Sequence, residues 1–124
     1  ITIIIEVTGH LTCPRKFKAR VNVWDDDEPF RPGALDPGVR PYKNSNYNQL
    51  SASHEVFFKL YGTVSEDWAG EKEVEPVLTI EHNCASGIPD DVVLCVCKDY
   101  GDRSQSFKDP LGTVHLYTTD MTYC

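Results

Sequence analysis

The sequence predicts an all-β domain, a seven-stranded β-sandwich or open Greek-key barrel, on three observations. Apolar and polar residues alternate in short runs along most of the chain, which is the period of half-buried strands. Turn signals rich in Gly, Pro, Asn and Asp separate those runs at regular spacing, as in sandwiches. Hardly any stretch carries the three- and four-residue apolar spacing of a helix, and there are no heptads and no internal repeat. At 124 residues the chain makes one domain, residues 1–124, with a single core.

The first strand is expected over residues 3–9, with Ile3, Ile5 and Val7 on one face and Ile4, Glu6 and Thr8 on the other; Cys13-Pro14 ends it. The basic cluster Arg15-Lys16-Phe17-Lys18-Ala19-Arg20 then leads into a second strand whose Phe17, Ala19, Val21 and Val23 share one face, with Asn22 and Trp24 on the other. This strand runs into Asp25-Asp26-Asp27-Glu28-Pro29. Four adjacent carboxylates repel one another unless water, Arg/Lys or a cation lies among them. Pro29, Pro32, Gly33, Pro37, Gly38 and Pro41 make residues 29–48 a long connection, with a short edge strand near 39–47.

Residues 54–64 form a fourth strand, with Val56, Phe58 and Leu60 inward and Phe57, Lys59 and Tyr61 outward. Glu66, Asp67 and Trp68 lie in the charged connection 65–75. The fifth strand, 77–84, puts Leu78, Ile80 and His82 on one face and is followed by a turn through Gly87 and Pro89. The sixth, 92–98, is apolar on both faces and is therefore expected to be central. A polar loop over 99–110 precedes the seventh strand, 111–118.

Hydrophobic residues make up 40% of the chain and charged ones 25%, a soluble globular composition with no run of membrane-spanning length. The opening Ile1-Thr2-Ile3-Ile4-Ile5 is too short for a signal peptide and lacks its basic flank, so it reads as the start of a mature, processed chain. Five cysteines, Cys13, Cys84, Cys95, Cys97 and Cys124, in so small a domain point to disulfides and a secreted, extracellular protein. Cys95-Val96-Cys97 is C-x-C, and no second ligand pair stands at zinc spacing. Two disulfides leave one cysteine over; the pairing stays open, and the odd thiol can link two chains into a dimer. A net charge of −7 argues against nucleic acid as a bulk partner and makes contact with an anionic membrane either local or cation-bridged.

If successive strands alternate in direction, the loops after the second, fourth and sixth strands emerge at one end. That gathers Asp25, Asp26, Asp27 and Glu28 with Glu66, Asp67 and Asp99, and with Asp102 and Asp109. Carboxylates converging from several loops can supply the six to eight oxygens that calcium takes. Each loop also carries an aromatic, Phe30, Trp68 or Phe107, suited to a lipid interface. The opposite end collects Arg15, Lys16, Lys18, Cys13, Cys84 and Cys124. Arg15, Lys16, Lys18 and Arg20 are the candidates for direct contact with a phosphate. His82 lies on an apolar face and reads as a core histidine. No G-x-S-x-G, H-E-x-x-H or phosphate-cradling glycine loop occurs, so binding rather than catalysis is expected.

Four segments carry a family resemblance: Gly9-His10-Leu11-Thr12-Cys13, Val21-Asn22-Val23-Trp24-Asp25-Asp26-Asp27, Glu75-Pro76-Val77-Leu78-Thr79-Ile80-Glu81-His82-Asn83-Cys84 and Leu111-Gly112-Thr113-Val114-His115-Leu116. In order and approximate spacing they resemble the nematode transthyretin-like proteins; the strand from Glu-Pro to His-Asn-Cys is the most specific. The resemblance implies a secreted transthyretin-like β-sandwich. It also implies a link to the family branch of bridging molecules that recognise phosphatidylserine on apoptotic cells and hand it to an engulfment receptor on the phagocyte. The purine-pathway hydrolases of that fold end in Tyr-Arg-Gly-Ser, whereas this chain ends in Met121-Thr122-Tyr123-Cys124. Hormone carriers of the fold hold small apolar ligands between dimers and have few cysteines. A carrier is therefore the alternative to the adaptor.

Overall fold

A computed structural model describes residues 1–26, 54–65, 72–85 and 94–124 in full and residues 47–51 by their backbone. The described residues form eight strands and no helix: β1 (Thr2–Thr12), β2 (Lys18–Asp25), β3 (Tyr47–Ser51), β4 (Glu55–Ser65), β5 (Pro76–His82), β6 (Leu94–Asp99), β7 (Phe107–His115) and β8 (Thr122–Tyr123). Three strands pair in the order β4-β1-β7 and five in the order β3-β2-β5-β6-β8. The two sheets face each other over one core, the arrangement of a β-sandwich.

Period-two alternation builds that core. Ile3, Ile5, Val7 and Leu11 of β1, with Phe58, Leu60 and Val64 of β4, meet Ala19, Val21, Val23, Leu78, Ile80 and Val96 from the other sheet. The expected inward faces of the first, second, fourth and fifth strands are the buried ones. The sheets approach closely at Gly62, where a Cβ would stand 2.8 Å from Val23 Cβ. A side chain there would have no room.

Several expected boundaries shift. The third strand lies at Tyr47–Ser51 rather than near 39–47; positions 27–46 lie outside the described residues. The outward face of β2 is not half-exposed, since Asn22 and Trp24 are each 2% exposed. The centre of the larger sheet is β5, with β2 and β6 on either side of it; β6 is paired on both edges, though its outer partner β8 is only two residues long. Its apolar outward positions are two cysteines rather than packed aliphatics.

The seventh strand begins at Phe107, inside the expected polar loop. Its alternation was hidden because Asp109 holds a half-buried position. The carboxylate of Asp109 is satisfied there by Lys98 Nζ at 2.8 Å and by the Tyr100 hydroxyl, which donates at 2.7 Å. Pro110 is tolerated because β7 is an edge strand. Strand β7 runs parallel to β1 with an irregularity between Thr8 and His10, where Gly112 takes φ 72°, a conformation that favours glycine.

Candidate functional site

Strand direction defines two poles. The pairs Asp25↔Pro76, Val77↔Asp99 and Thr2↔Ser65 bring the ends of β2, β6 and β4 to one pole. At the other pole the pairs Ala19↔His82, His82↔Leu94 and Thr12↔Glu55 gather the start of β2 and the end of β5 with Cys13 and Cys84. The Cys13–Cys84 disulfide ties β1 of one sheet to β5 of the other, with a Cα separation of 6.0 Å.

At the basic pole, residues 13–18 are laid against residues 82–85 by hydrogen bonds. Arg15 Nη1 donates to the Ala85 carbonyl at 2.8 Å. The Lys18 amide donates to Asn83 Oδ1 at 2.8 Å, and the Asn83 amide returns a bond to the Lys18 carbonyl at 3.3 Å. Beneath them the Cys84 amide donates to His82 Nδ1 at 3.0 Å. His82 is 4% exposed, and burial drives its pKa down to about 4, so it sits neutral with the proton on Nε2. The histidine is thus a buried core residue whose Nδ1 holds the backbone at Cys84.

The four candidate cations divide. Arg20 is paired with Glu81 across β2 and β5 at 3.2 Å; burial pushes the Glu81 carboxyl up, and the Arg20 charge opposes it. Arg15 is half-buried and spent on backbone carbonyls. Lys16 and Lys18 are exposed, and among the described residues neither ammonium has an ion-pair partner. An open cleft of about 370 Å³ lies at the same pole, lined by Thr12, Cys13, Pro14, His115, Tyr117 and Thr118.

The acidic pole is more internally occupied than its sequence suggests. Asp25 is 6% exposed, whereas Asp26 faces solvent. Asp99 accepts the Gly101 amide at 2.8 Å. Asp109 is held by Lys98 and Tyr100; burial raises its pKa, but those hydrogen bonds and the charges of Lys98 and Arg103 outweigh it, and the carboxyl titrates below its ordinary range. Phe107 packs edge-on to Tyr100 at 5.0 Å, with the Arg103 guanidinium 4.4 Å over its ring. It is half-buried and clamped rather than displayed.

Asp27, Glu28, Phe30, Glu66, Asp67 and Trp68 lie outside the described residues. Among the described residues, the only group of three or more His, Cys, Asp or Glu side chains with all ligand atoms within 4.8 Å is Cys95, Cys97 and Cys124. Asp25, Asp26 and Asp99 therefore do not by themselves fit a calcium site.

No protein-family model, curated protein or solved structure matches the chain.

The features that sequence reasoning passed over are Lys98, which pairs with Asp109, Arg103, which lies over the Phe107 ring, and Asn83, which orders the basic pole. A histidine-asparagine-cysteine run directly after a strand was the available signal, since Asn side chains at strand ends bond backbone. Disulfide-bonded cysteines are compatible with an extracellular protein. So is the finding that, among the described residues, no helix is long and apolar enough to cross a membrane.

Proposed function

We propose that the protein is a secreted adaptor that binds phosphatidylserine on apoptotic cells through its basic pole and presents the opposite pole to an engulfment receptor on the phagocyte. The observation that carries this reading is the exposed, unpaired Lys16 and Lys18 on a pole stapled by Cys13–Cys84. Each lysine near an anionic surface contributes about 1 kcal/mol. The resemblance to transthyretin-like bridging proteins points the same way.

Calcium at the acidic pole is the other form of the proposal, and it calls on Asp27, Glu28, Glu66 and Asp67 beyond the described residues. Sedimentation with phosphatidylserine vesicles, beside phosphatidylcholine controls, separates the two. Serine-lipid selectivity that survives excess chelator and fades with salt supports the lysine contact. Selectivity lost on chelation moves the site to the acidic pole, and no binding in either condition sinks the adaptor.

A carrier of a small apolar ligand is the second reading. In its favour is a cleft of about 520 Å³ whose lining includes Leu111, Val114 and Met121, within the size range of ligand pockets. Saturable uptake of a fluorescent apolar ligand, without lipid selectivity, would favour it.

A further inference from the structure

The outward face of β6 holds a cluster that lipid binding does not use. Cys95 and Cys97 are two residues apart on one strand and so share a face; Val96 between them is in the core. The pairs Val96↔Tyr123 and Cys97↔Thr122 continue to Cys124 opposite Cys95, where the Cys124 amide donates to the Cys95 carbonyl at 3.1 Å. All three sulfurs lie within 4.8 Å of one another. The Cα separations, 5.5 Å for Cys95–Cys124 and 5.2 Å for Cys97–Cys124, both suit a disulfide.

A sulfur forms one disulfide at a time, so these pairings are alternatives. Cys13 and Cys84 are bonded to each other, which leaves three cysteines, one bond and one thiol. The two arrangements differ in which thiol is left. With Cys97–Cys124 bonded, the thiol is Cys95, 5% exposed and shielded from reagents. With Cys95–Cys124 bonded, it is Cys97, which is half-exposed.

We infer that Cys95, Cys97 and Cys124 form a thiol–disulfide exchange site that moves a single thiol between a buried and an accessible position and takes small disulfides as its substrate class. Cys95 gives its proton to solvent, and its thiolate attacks Cys124 Sγ. The Cys95–Cys124 bond forms as the Cys97–Cys124 bond breaks, and the electron pair leaves on Cys97. No oxidant or reductant is consumed. The Cys97 thiolate then attacks a small disulfide, forming a mixed disulfide and releasing the other half as a thiolate. Glu81 is the register partner of Cys95 across the strand pair, and its carboxylate is paired with Arg20. The C-terminal strand β8 stays clipped to β6 throughout.

The test uses the whole chain, purified without reductant. Acid quenching to about pH 3 stops exchange, because the thiolate is the nucleophile. Digestion and fragmentation of the quenched protein should then yield both Cys95–Cys124 and Cys97–Cys124 linkages from one preparation. Oxidised glutathione at about pH 8 should add to Cys97 alone and reach one adduct per chain, exceeding the Cys97 thiol fraction trapped by acid. Cys95→Ala and Cys97→Ala should each leave a fixed Cys–Cys124 bond and no adduct. A single linkage in the quenched digest overturns the inference, as does an adduct that never exceeds the acid-trapped fraction, or one that persists in Cys95→Ala.

Discussion

Acidification between pH 7 and pH 5 should withdraw the stability that one buried residue, His82, contributes. Its folded pKa of about 4 lies below the ordinary histidine value of 6.5, because burial disfavours the imidazolium. The unfolded chain therefore binds a proton that the folded chain refuses. Stability from this group is fully present above about pH 6.5 and is lost as pH falls toward 4. Integrating that difference gives a loss of about 2 kcal/mol on going from pH 7 to pH 5, and about 3 kcal/mol at the acid limit.

The assay is urea unfolding at several pH values for the native chain and for His82→Gln. His10, His54 and His115 are common to both proteins and drop out of the difference. Glu81 acts with opposite sign, since its carboxyl is pushed up in the folded state and is stabilising when protonated; it too cancels. The variant loses stability outright, because the Cys84 amide loses its designed acceptor, but its pH slope over this window should be flatter by about 2 kcal/mol. Equal slopes for the two proteins would refute the buried neutral histidine and with it the stated support for the basic pole.

Three further outcomes follow from the same geometry. Lys16→Ala and Lys18→Ala should each weaken sedimentation with phosphatidylserine vesicles about fivefold, and together about thirtyfold, with unchanged thermal unfolding; binding indifferent to both would remove the basic pole from the reading. Replacing Cys13 and Cys84 with Ser opens a link between positions 71 residues apart and should cost about 4 kcal/mol by loop-closure entropy, read as a lowered urea midpoint. Gly62→Ala forces a methyl to 2.8 Å from Val23 Cβ and should cost about 1–3 kcal/mol, a result a calorimetric scan would contradict if the melting temperature held.

How far the sequence was legible depended on the range of the interactions involved. Alternation in β1, β2, β4 and β5 is a local signal, and their inward faces could be read directly from residue order. The polarity of the two ends followed from the same alternation, because β1 to β7 do reverse direction in turn. What stayed hidden was decided by partners distant in sequence. Asp109 occupies a strand position because Lys98, on β6 of the other sheet, and Tyr100, just after β6, satisfy it. β8 is two residues long and is held by pairing to β6, so no pattern of its own announces it. Exposure could not separate Arg20 from Lys18 in sequence, since only the register sets Glu81 opposite Arg20. The candidate acids at 27, 28, 66 and 67 lie beyond the described residues and add nothing to this comparison.

The contrast between the poles turns on where each spends its charge. At the acidic end Asp109 is consumed by Lys98 and Tyr100, Asp99 by the Gly101 amide, and Arg103 by the Phe107 ring. At the basic end the ordering bonds are made by backbone, Asn83 and Arg15, which leaves the Lys16 and Lys18 ammoniums facing water. With a net charge of −7, the chain as a whole is repelled by an anionic surface. Screening cuts that repulsion off beyond about 8 Å at physiological salt, so only the face that touches the surface decides the sign. In the proposed adaptor, contact through Lys16 and Lys18 would therefore also orient the molecule, with the acidic end directed away from the membrane.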